Sequence, residues 1–560
     1  LGNPPYSGTG QNKNAWTEQL LKTDLDGAQS YYTVDNAALG GMNPKWLQDD
    51  YVKFLRFAQW KIHTAGKGIV GMITNHSYLD NLTFRGMRQS LMKTFDEIYV
   101  LNLHGNTRRR EHCPDGSVDD NVFDIKVGTA IILMIKKEAH KALPDPALVD
   151  NNHVQNSELA RVFHQDLYGL RQTKYDWLDS TEFDNGFYQE IQPCSPFYLF
   201  RPEIPGNEHY QQWKSLPEIF PLNSVGIVSA RDKLTIRDNI EQVRQTIHHF
   251  SSLEPETARR AYNLRNDSSD WCVENAQRDL RDSELQDENI VPILYRPFDT
   301  RYTYFTGRSS GFICRPRPNV MKHMLKENVG IVVGRQGLAV GENQLWNLAF
   351  VSRTITDFNL FYRGGGLLIP LYLYPDEQAA DIFQEREYNI SQELLAQLIG
   401  QWQNFDASQL FYYVYAVLYS DEYRQRFAEY LLLDFPRIPF TEDYQLFENL
   451  ANLGKELAEL HLLNNPRLNE LVVRYQGVGG NNSVRYVKYD EANSTIRIND
   501  DKYFEGVSAH LWNYYIGGYQ VLKKYLGDRK RKSIDNPVVF CKIATALEHT
   551  IQSNKRLMIC

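Results

Sequence analysis

Three short apolar runs limit what the first 200 residues can become: IVGMIT (69–74), EIYVLNL (97–103) and TAIILMI (129–135). Each is shorter than an ordinary helix and rich in β-branched or large apolar side chains, as a strand buried on both faces must be. Between and before them the pattern changes period. DDYVKFLRFAQWKI (49–62) places Val52, Leu55, Phe57 and Ile62 close to helical spacing, and Gly66-Lys67-Gly68 stops it. Asn75-His76-Ser77 supplies a cap, which predicts a further helix over Leu82–Met92. Buried strands alternating with helices specify an α/β layer with a mostly parallel sheet.

The texture shifts near Pro202-Glu203-Ile204-Pro205-Gly206. A charged stretch from about Arg231 to Gln286 contains helical pieces such as NIEQVRQTIHHF. VPILYRPFDTRYTYFTG, NVGIVVGRQG and LLIPLYLYPDE then read as strands and turns. From Ser391 the pattern is helical again, in SQELLAQLIGQWQ, LFYYVYAVLYSDEY and NLGKELAELHLL. A hairpin-like segment, VRYVKYDEANSTIRIND, precedes the last helices. The expected organisation is a first region at 1–205 and a second at 206–560, subdivided near 390–405. No internal repeat or low-complexity tract interrupts it.

Composition narrows the class. At 560 residues, with 42% hydrophobic and 23% charged, the chain is globular and multidomain. No apolar run approaches the about 18 residues that cross a bilayer, so no membrane partner is expected. The six cysteines are scattered without metal-like spacing, which predicts free thiols in a reducing cytoplasm and no metal. The 14 histidines show no HxxxH pair assignable to a metal. With net charge −8, a nucleic-acid enzyme of this kind has to gather its basic residues on one face.

Asn3-Pro4-Pro5-Tyr6 carries a chemical rationale. The exocyclic amine of a base is a poor nucleophile because its lone pair is delocalised into the ring. An Asn side-chain oxygen and a proline carbonyl can accept both amine hydrogens and free that lone pair. Prolines fix the acceptors, because their φ is locked and they have no N–H to spend. The tyrosine face can stack on a base rotated out of a duplex. Such a site works by positioning and electrostatics rather than through a strong base. The alternative is a surface Pro-Pro turn. A protein-glutamine methyltransferase uses the same loop on an amide nitrogen, but with little chain after it.

At this point a resemblance emerges. NPPYSGTGQNKNAW, YVKFLRFAQWKI, GIVGMITNHSYLD, FRGMRQSL, YVLNLHGNTRRRE and VFDIKVGTAIILMIKK resemble, in order, the second half of an N6-adenine DNA methyltransferase. They are most similar to that of the type ISP restriction-modification enzymes, single chains that combine nuclease, helicase, methyltransferase and target recognition. VPILYRPFDTRYTYFTG, RPRPNVMKHM, LLIPLYLYPDE and WNYYIGGYQVLKKYLGDRK resemble the C-terminal specificity region of the same family. The resemblance implies an α/β fold: a partial Rossmann-like methyltransferase sheet, then a mixed α+β target-recognition region and a helical C-terminal part. It implies that Asn3 and the Pro4 carbonyl, held by Pro5, bind the target amine, that Tyr6 stacks on the flipped adenine, and that Phe123 supplies a second aromatic wall. It implies S-adenosylmethionine as methyl donor and double-stranded DNA as partner. Related loops also act on cytosine N4; Asn in the first position favours adenine.

The sequence departs from that family in one respect. The donor-binding half, with its Gly-rich turn after a strand, is not found. Gly8-Thr9-Gly10, GVGGNN (477–482) and RGGGLL (363–368) lack the strand-turn-helix context, and AGKGIV lacks the phosphate-loop spacing. The expectation is a C-terminal piece that needs an upstream donor-binding segment, with or without nuclease and helicase domains, and that is inactive alone. The alternative is a non-catalytic DNA-recognition module that retains the loop. Base readers are expected among Arg, Gln and Asn in punctuated loops: Arg315, Arg317, Arg335, Gln336 and Arg353. Phosphate contacts are expected at Arg108, Arg109 and Arg110 and at Arg529, Lys530 and Arg531.

Overall fold

The computed structural model describes residues 1–5, 10, 14–23, 29–39, 44–107, 111–138, 159–202, 209–334, 345–362, 365–375, 386–554 and 556–557. Contacts divide the chain into two compact units, Leu1–Gln211 and Gln212–Cys560.

The first unit is built on a five-stranded sheet. Its strands are β1 (Gly68–Asn75), β2 (Glu97–His104), β3 (Thr129–Lys136), β4 (Arg161–Asp166) and β5 (Gln189–Ile191), in the order β1-β3-β2-β4-β5. The three apolar runs are β1, β2 and β3, as the sequence predicts. Strand β3 pairs antiparallel to both β1 and β2, which are therefore parallel to each other, and β4 is parallel to β2. The sheet is α/β, but the expected mostly parallel pairing is not found: β3 is antiparallel to both its neighbours and β5 is antiparallel to β4, which leaves β2–β4 as the one parallel pairing among these strands.

Helix α1 (Ala15–Lys22) is capped by Asn14, and α2 (Asp50–Ala65) precedes β1. Gly66 ends α2 with φ of 78°, donating its N–H to Ile62 O and His63 O; a left-handed C-cap is the glycine position of a helix end. Val52 and Leu55 are fully buried, but Phe57 is 40% exposed and packs edge-on against Trp16 and at a tilt against Trp60. The buried face turns instead through Arg56 and Gln59, polar residues that periodicity of apolar positions does not register. Arg56 bridges Leu20 O, Thr23 O, Gln29 O and the side chains of Gln59 and Ser90. The predicted helix after β1 begins as two capped 3-10 turns, by Asn75 and Asn81, and continues as α3 (Arg85–Thr94). Helix α4 (Arg171–Ser180) follows β4.

The second unit is mixed. One four-stranded sheet holds β7 (Ile236–Arg237), β9 (Asp299–Tyr304), β8 (Ile290–Arg296) and β12 (Ile355–Thr356); another holds β11 (Ala349–Ser352), β10 (Gly330–Gly334), β13 (Gly366–Pro370) and β6 (Ser224–Val225). The VPILYRPFDTRYTY segment is the β8–β9 hairpin, and its turn residue Phe298 has φ of 63°. Helix α5 (Ile240–Ser252) packs on β9. Helices α6 (Ala407–Tyr419) and α7 (Tyr444–His461) form the tightest helix pair: a Cβ on Gly454 would lie 1.9 Å from Tyr412 O. The expected hairpin forms between Lys488–Asp490 and Thr495–Arg497, and helix α8 (Pro537–Asn554) closes the unit. The α/β reading and the mixed, then helical, character downstream hold. Among the described residues, no helix is long and apolar enough to cross a membrane.

Candidate functional site

The opening segment is bridged at Gly2 to the edge of the sheet. Gly2 N donates to Gly71 O (3.0 Å), Ile73 N donates to Gly2 O (3.1 Å), and Gly2 pairs in parallel with Met72. Extending that register places Asn3 to Pro5 level with Ile73 to Asn75, at the carboxyl end of β1. Prolines cannot continue the ladder, so the chain leaves the sheet there. Pro4 is buried, while Asn3 and Pro5 face outward. Tyr6 lies outside the described residues. Downstream, Gly10 is buried where any side chain would meet Gln48 O at 2.2 Å and the Lys53–Asp50 pair. The segment is thus fixed to β1 on one side and to the start of α2 on the other.

The carboxyl ends of β1, β2 and β4 converge on a cluster that sequence reasoning missed. His104, at the end of β2, has φ of 52° and is almost fully buried. Its Nδ1 lies 2.7 Å from Glu111 Oε1 and its Nε2 lies 2.7 Å from Asp166 Oδ1, so both ring nitrogens donate to carboxylates. Its ring also stacks on Tyr168, with centroids 3.7 Å apart. Burial works to lower the His104 pKa, but the hydrogen bonds to Asp166 and Glu111 prevail and raise it. For the carboxylates, burial works upward, and hydrogen bonds from His104 more than reverse it. Glu111 falls to about 2, and Asp166, which also accepts from His164 (2.9 Å), drops well below the usual carboxylate range.

The cluster extends to β1. His76 Nδ1 donates to Asn102 Oδ1 (3.1 Å), and its Nε2 accepts from Asn106 Nδ2 (3.1 Å). Gly128 gives the His76 ring its space, because a Cβ there would lie 2.2 Å from the ring. Gly105, with φ of 79°, passes so close to Asn121 that a Cβ would lie 2.4 Å from its Cα. Beneath this, Lys174 Nζ is fully buried on Asp119 Oδ1, Leu103 O and Asp120 O, each 2.7 Å away. Asp119 also accepts from Gly105 N and Gly169 N. The loop after β2 is therefore tied to the start of α4.

Phe123 sits in the loop before β3, half-buried against Leu101, Leu103 and Val122. Its backbone is pinned at both ends: Phe123 N donates to Asn121 Oδ1 (2.8 Å), and Arg171 donates to its carbonyl (3.1 Å). Arg108, Arg109 and Arg110, and in the second unit Arg335 and Gln336, lie outside the described residues. The cluster had one legible signal. Asn102 and His104, and likewise His164 and Asp166, are polar pairs spaced by two at strand ends, hence on one face. In the sheet register Asn102 stands opposite Asp166.

In the second unit the remaining candidates are dispersed. Arg315 is exposed and paired with Asp270 (2.6 Å). Arg317 holds φ of 55° before the Pro318–Met321 turn of helix. Arg353 is exposed, and with the Asn464 amide turned to suit both groups it donates to that oxygen (2.7 and 3.1 Å). Arg529 donates to Asp299 Oδ1 (2.8 Å) and lies over the Tyr525 ring at 3.6 Å, which binds it to the β8–β9 hairpin. Lys530 and Arg531 are exposed. The hairpin is anchored from within by Arg296, whose Nη1 donates to Asp357 Oδ1 at 2.7 Å. Burial raises the Asp357 carboxyl to about 6 against the opposing pull of Arg296.

Residues 218–552 match the family model of the Type ISP C-terminal specificity domain. The chain belongs to the Type ISP specificity-domain family. Arg315, Arg317, Arg353, Arg529, Lys530 and Arg531 all lie within the Type ISP match, whereas the Asn3–Pro5 segment and the His104 cluster precede it. Several solved structures share the fold. The ATP-dependent Type ISP restriction-modification enzyme LlaBIII bound to DNA is 21% identical with a TM-score of 0.65, over 100% of this chain and 37% of that one. The DrdV–DNA complex is 20% identical with a TM-score of 0.62, over 99% of this chain and 56% of that one. A nuclease-deletion mutant of the Type ISP enzyme LlaGI, in complex with a DNA substrate mimic, is 19% identical with a TM-score of 0.60, over 100% and 52%. The chain thus spans 37% to 56% of these proteins. Comparison with curated proteins finds no match.

Proposed function

We propose that this chain recognises a target sequence in double-stranded DNA and presents one adenine of it for N6 methylation, as the C-terminal part of a type ISP restriction-modification enzyme. The observation that carries the reading is the parallel Gly2–Met72 bridge, which sets Asn3 and Pro4 at the carboxyl end of β1. Ligands of α/β sheets bind at that end. The specificity-domain match downstream and the DNA-bound state of LlaBIII, DrdV and LlaGI support duplex DNA as the partner.

In this reading the target base leaves the duplex. Asn3 Oδ1 and the Pro4 carbonyl accept the two amine hydrogens, and the amine lone pair turns out of conjugation. Tyr6 and Phe123 stack on the base. The His104 cluster keeps the ends of β1, β2 and β4 rigid, so the acceptors meet the amine without reorganising. S-adenosylmethionine supplies the methyl group. The described residues do not fit its usual cradle: no strand of the first-unit sheet leads into a helix through a Gly-rich turn. The donor site is therefore assigned to another segment of the enzyme.

The test is methylation in a bacterium lacking N6-methyladenine. The chain is expressed alone, with the upstream segment restored, and with that segment plus Asn3→Ala. N6-methyladenine and N4-methylcytosine are then quantified by mass spectrometry. The reading predicts N6-methyladenine in the restored protein and none with Asn3→Ala. N4-methylcytosine would correct the base, and equal signal with Asn3→Ala would remove the loop from the chemistry.

A further inference from the structure

The second unit contains a cleft of about 390 Å³ between the Asp232–Thr235 helical turn, α5 and the β8–β9 hairpin. Four of its lining side chains are basic, Lys233, Arg237, Arg301 and Lys532, and two are acidic, Asp232 and Asp238. Both acids are already engaged. Asp232 accepts from Tyr295 Oη (3.0 Å) and Ser229 Oγ and lies 3.9 Å from Arg296. Asp238 is paired with Lys532 and lies 4.0 Å from Arg301, which is also held by Asp299 (2.8 Å) and Asp528 (3.5 Å).

Two positive charges are left over. Lys233 is exposed and makes no ion pair among the described residues. Arg237 is half-buried, yet its guanidinium rests on neutral acceptors, Thr246 Oγ1 (2.9 Å) and Lys233 O. A partly desolvated guanidinium with no carboxylate in hydrogen-bond contact is costly unless an anion completes it. Burial lowers its pKa and outweighs the opposing pull of Tyr262 and Asp238.

We propose that this cleft clamps a phosphodiester of the DNA backbone, with Arg237 and Lys233 as the contacting groups. The inference rests on the duplex-binding reading above and assigns its backbone contacts. A phosphate suits the planar fork of arginine together with a lysine point charge. A polymer rather than a small anion is indicated by what adjoins the cleft: Lys532 lines it, and the preceding Lys530 and Arg531 are exposed, so the basic lining continues along the surface. Contacts of this kind position the protein without reading sequence.

The test is the salt dependence of binding of the whole chain to two mixed-sequence duplexes of unrelated sequence, read by fluorescence anisotropy. Lys233→Gln/Arg237→Gln is compared with wild type and with the charge-retaining Lys233→Arg/Arg237→Lys, after circular dichroism and melting show that all three are folded. The neutral variant is expected to lose affinity for both duplexes by the same factor, and its slope of log K against log [salt] should become shallower by about 2, roughly 0.9 per contact. The charge-retaining variant should keep the wild-type slope. An unchanged slope in the neutral variant overturns the clamp while leaving duplex binding intact. A wild-type chain that binds neither duplex refutes the underlying reading instead. Calorimetry with inorganic phosphate separates the sources: saturable binding abolished by the neutral variant, with the duplex slope unchanged, makes the cleft a small-anion site.

Discussion

His104→Asn removes the centre of the buried cluster while sparing the backbone, because Asn tolerates the left-handed φ of 52° that His104 adopts. The wild-type ring donates two charge-assisted hydrogen bonds, each 2.7 Å long. Hydrogen bonds to charged groups contribute about 1.5–3 kcal/mol each. Water can partly replace them, since the side chains of Asp166 and Glu111 are 36% and 22% exposed. The loss is therefore placed at the lower end, about 3 kcal/mol. The readout is hydrogen-exchange mass spectrometry in a urea series, taken from peptides within 97–136.

The sign with pH follows from the three shifts. His104 is raised, so its contribution is complete below its unfolded pKa of about 6.5 and fades as pH rises through the folded value. Glu111 and Asp166 are lowered, so theirs is complete above the unfolded carboxylate range of about 4 and is lost as pH falls. The difference between wild type and variant should thus peak between about pH 5 and 6.5. A difference below about 1 kcal/mol, or one that is flat from pH 5 to 9, would refute the cluster as a charged clamp.

Arg88 is buried and donates to the carbonyls of Tyr78, Asn81, Phe197 and Tyr198, an arrangement a single ammonium cannot reproduce; Arg88→Lys should cost about 3 kcal/mol or more, measured by guanidinium unfolding. Gly454→Ala would press a methyl into Tyr412 O and force α6 from α7, so calorimetry should show the second unit destabilised by about 3 kcal/mol. His461 is enclosed by Tyr415 Oη (2.7 Å) and Thr550 Oγ1 (2.9 Å), and burial first, then Arg424, lowers its pKa to about 3. Its ring resonances should not titrate between pH 4 and 8. Because the unfolded chain protonates first, this histidine should erode stability below about pH 6.5, by at most about 1.4 kcal/mol per pH unit.

The strands were legible because IVGMIT, EIYVLNL and TAIILMI are short and dominated by β-branched or large apolar residues, although the expected cover on both faces is incomplete: Ile69 in β1 is 64% exposed. Their order was not legible, because the reversed β3 between β1 and β2 is a tertiary choice that an apolar run does not encode. Phe57 misled for a related reason: it has helical spacing, yet the neighbouring Arg56 and Gln59 occupy the interior through hydrogen bonds that hydropathy cannot see. The place of the Asn-Pro-Pro segment beside the carboxyl end of β1 was not legible, because the Gly2–Met72 bridge that sets it is a tertiary pairing. The His104 cluster was hidden because its members come from β1, β2, β4 and the loops between them. The basic run read as one set of phosphate contacts, but its members differ: Arg529 is held on Asp299 and Tyr525, while Lys530 and Arg531 are exposed.

The most direct measurement of target recognition is selection of bound duplexes from a randomised pool by the whole chain, followed by sequencing. The account predicts enrichment of one defined motif that contains an adenine, retained when salt is raised enough to remove non-specific complexes. Recovery of the pool without enrichment, at any salt, would contradict it.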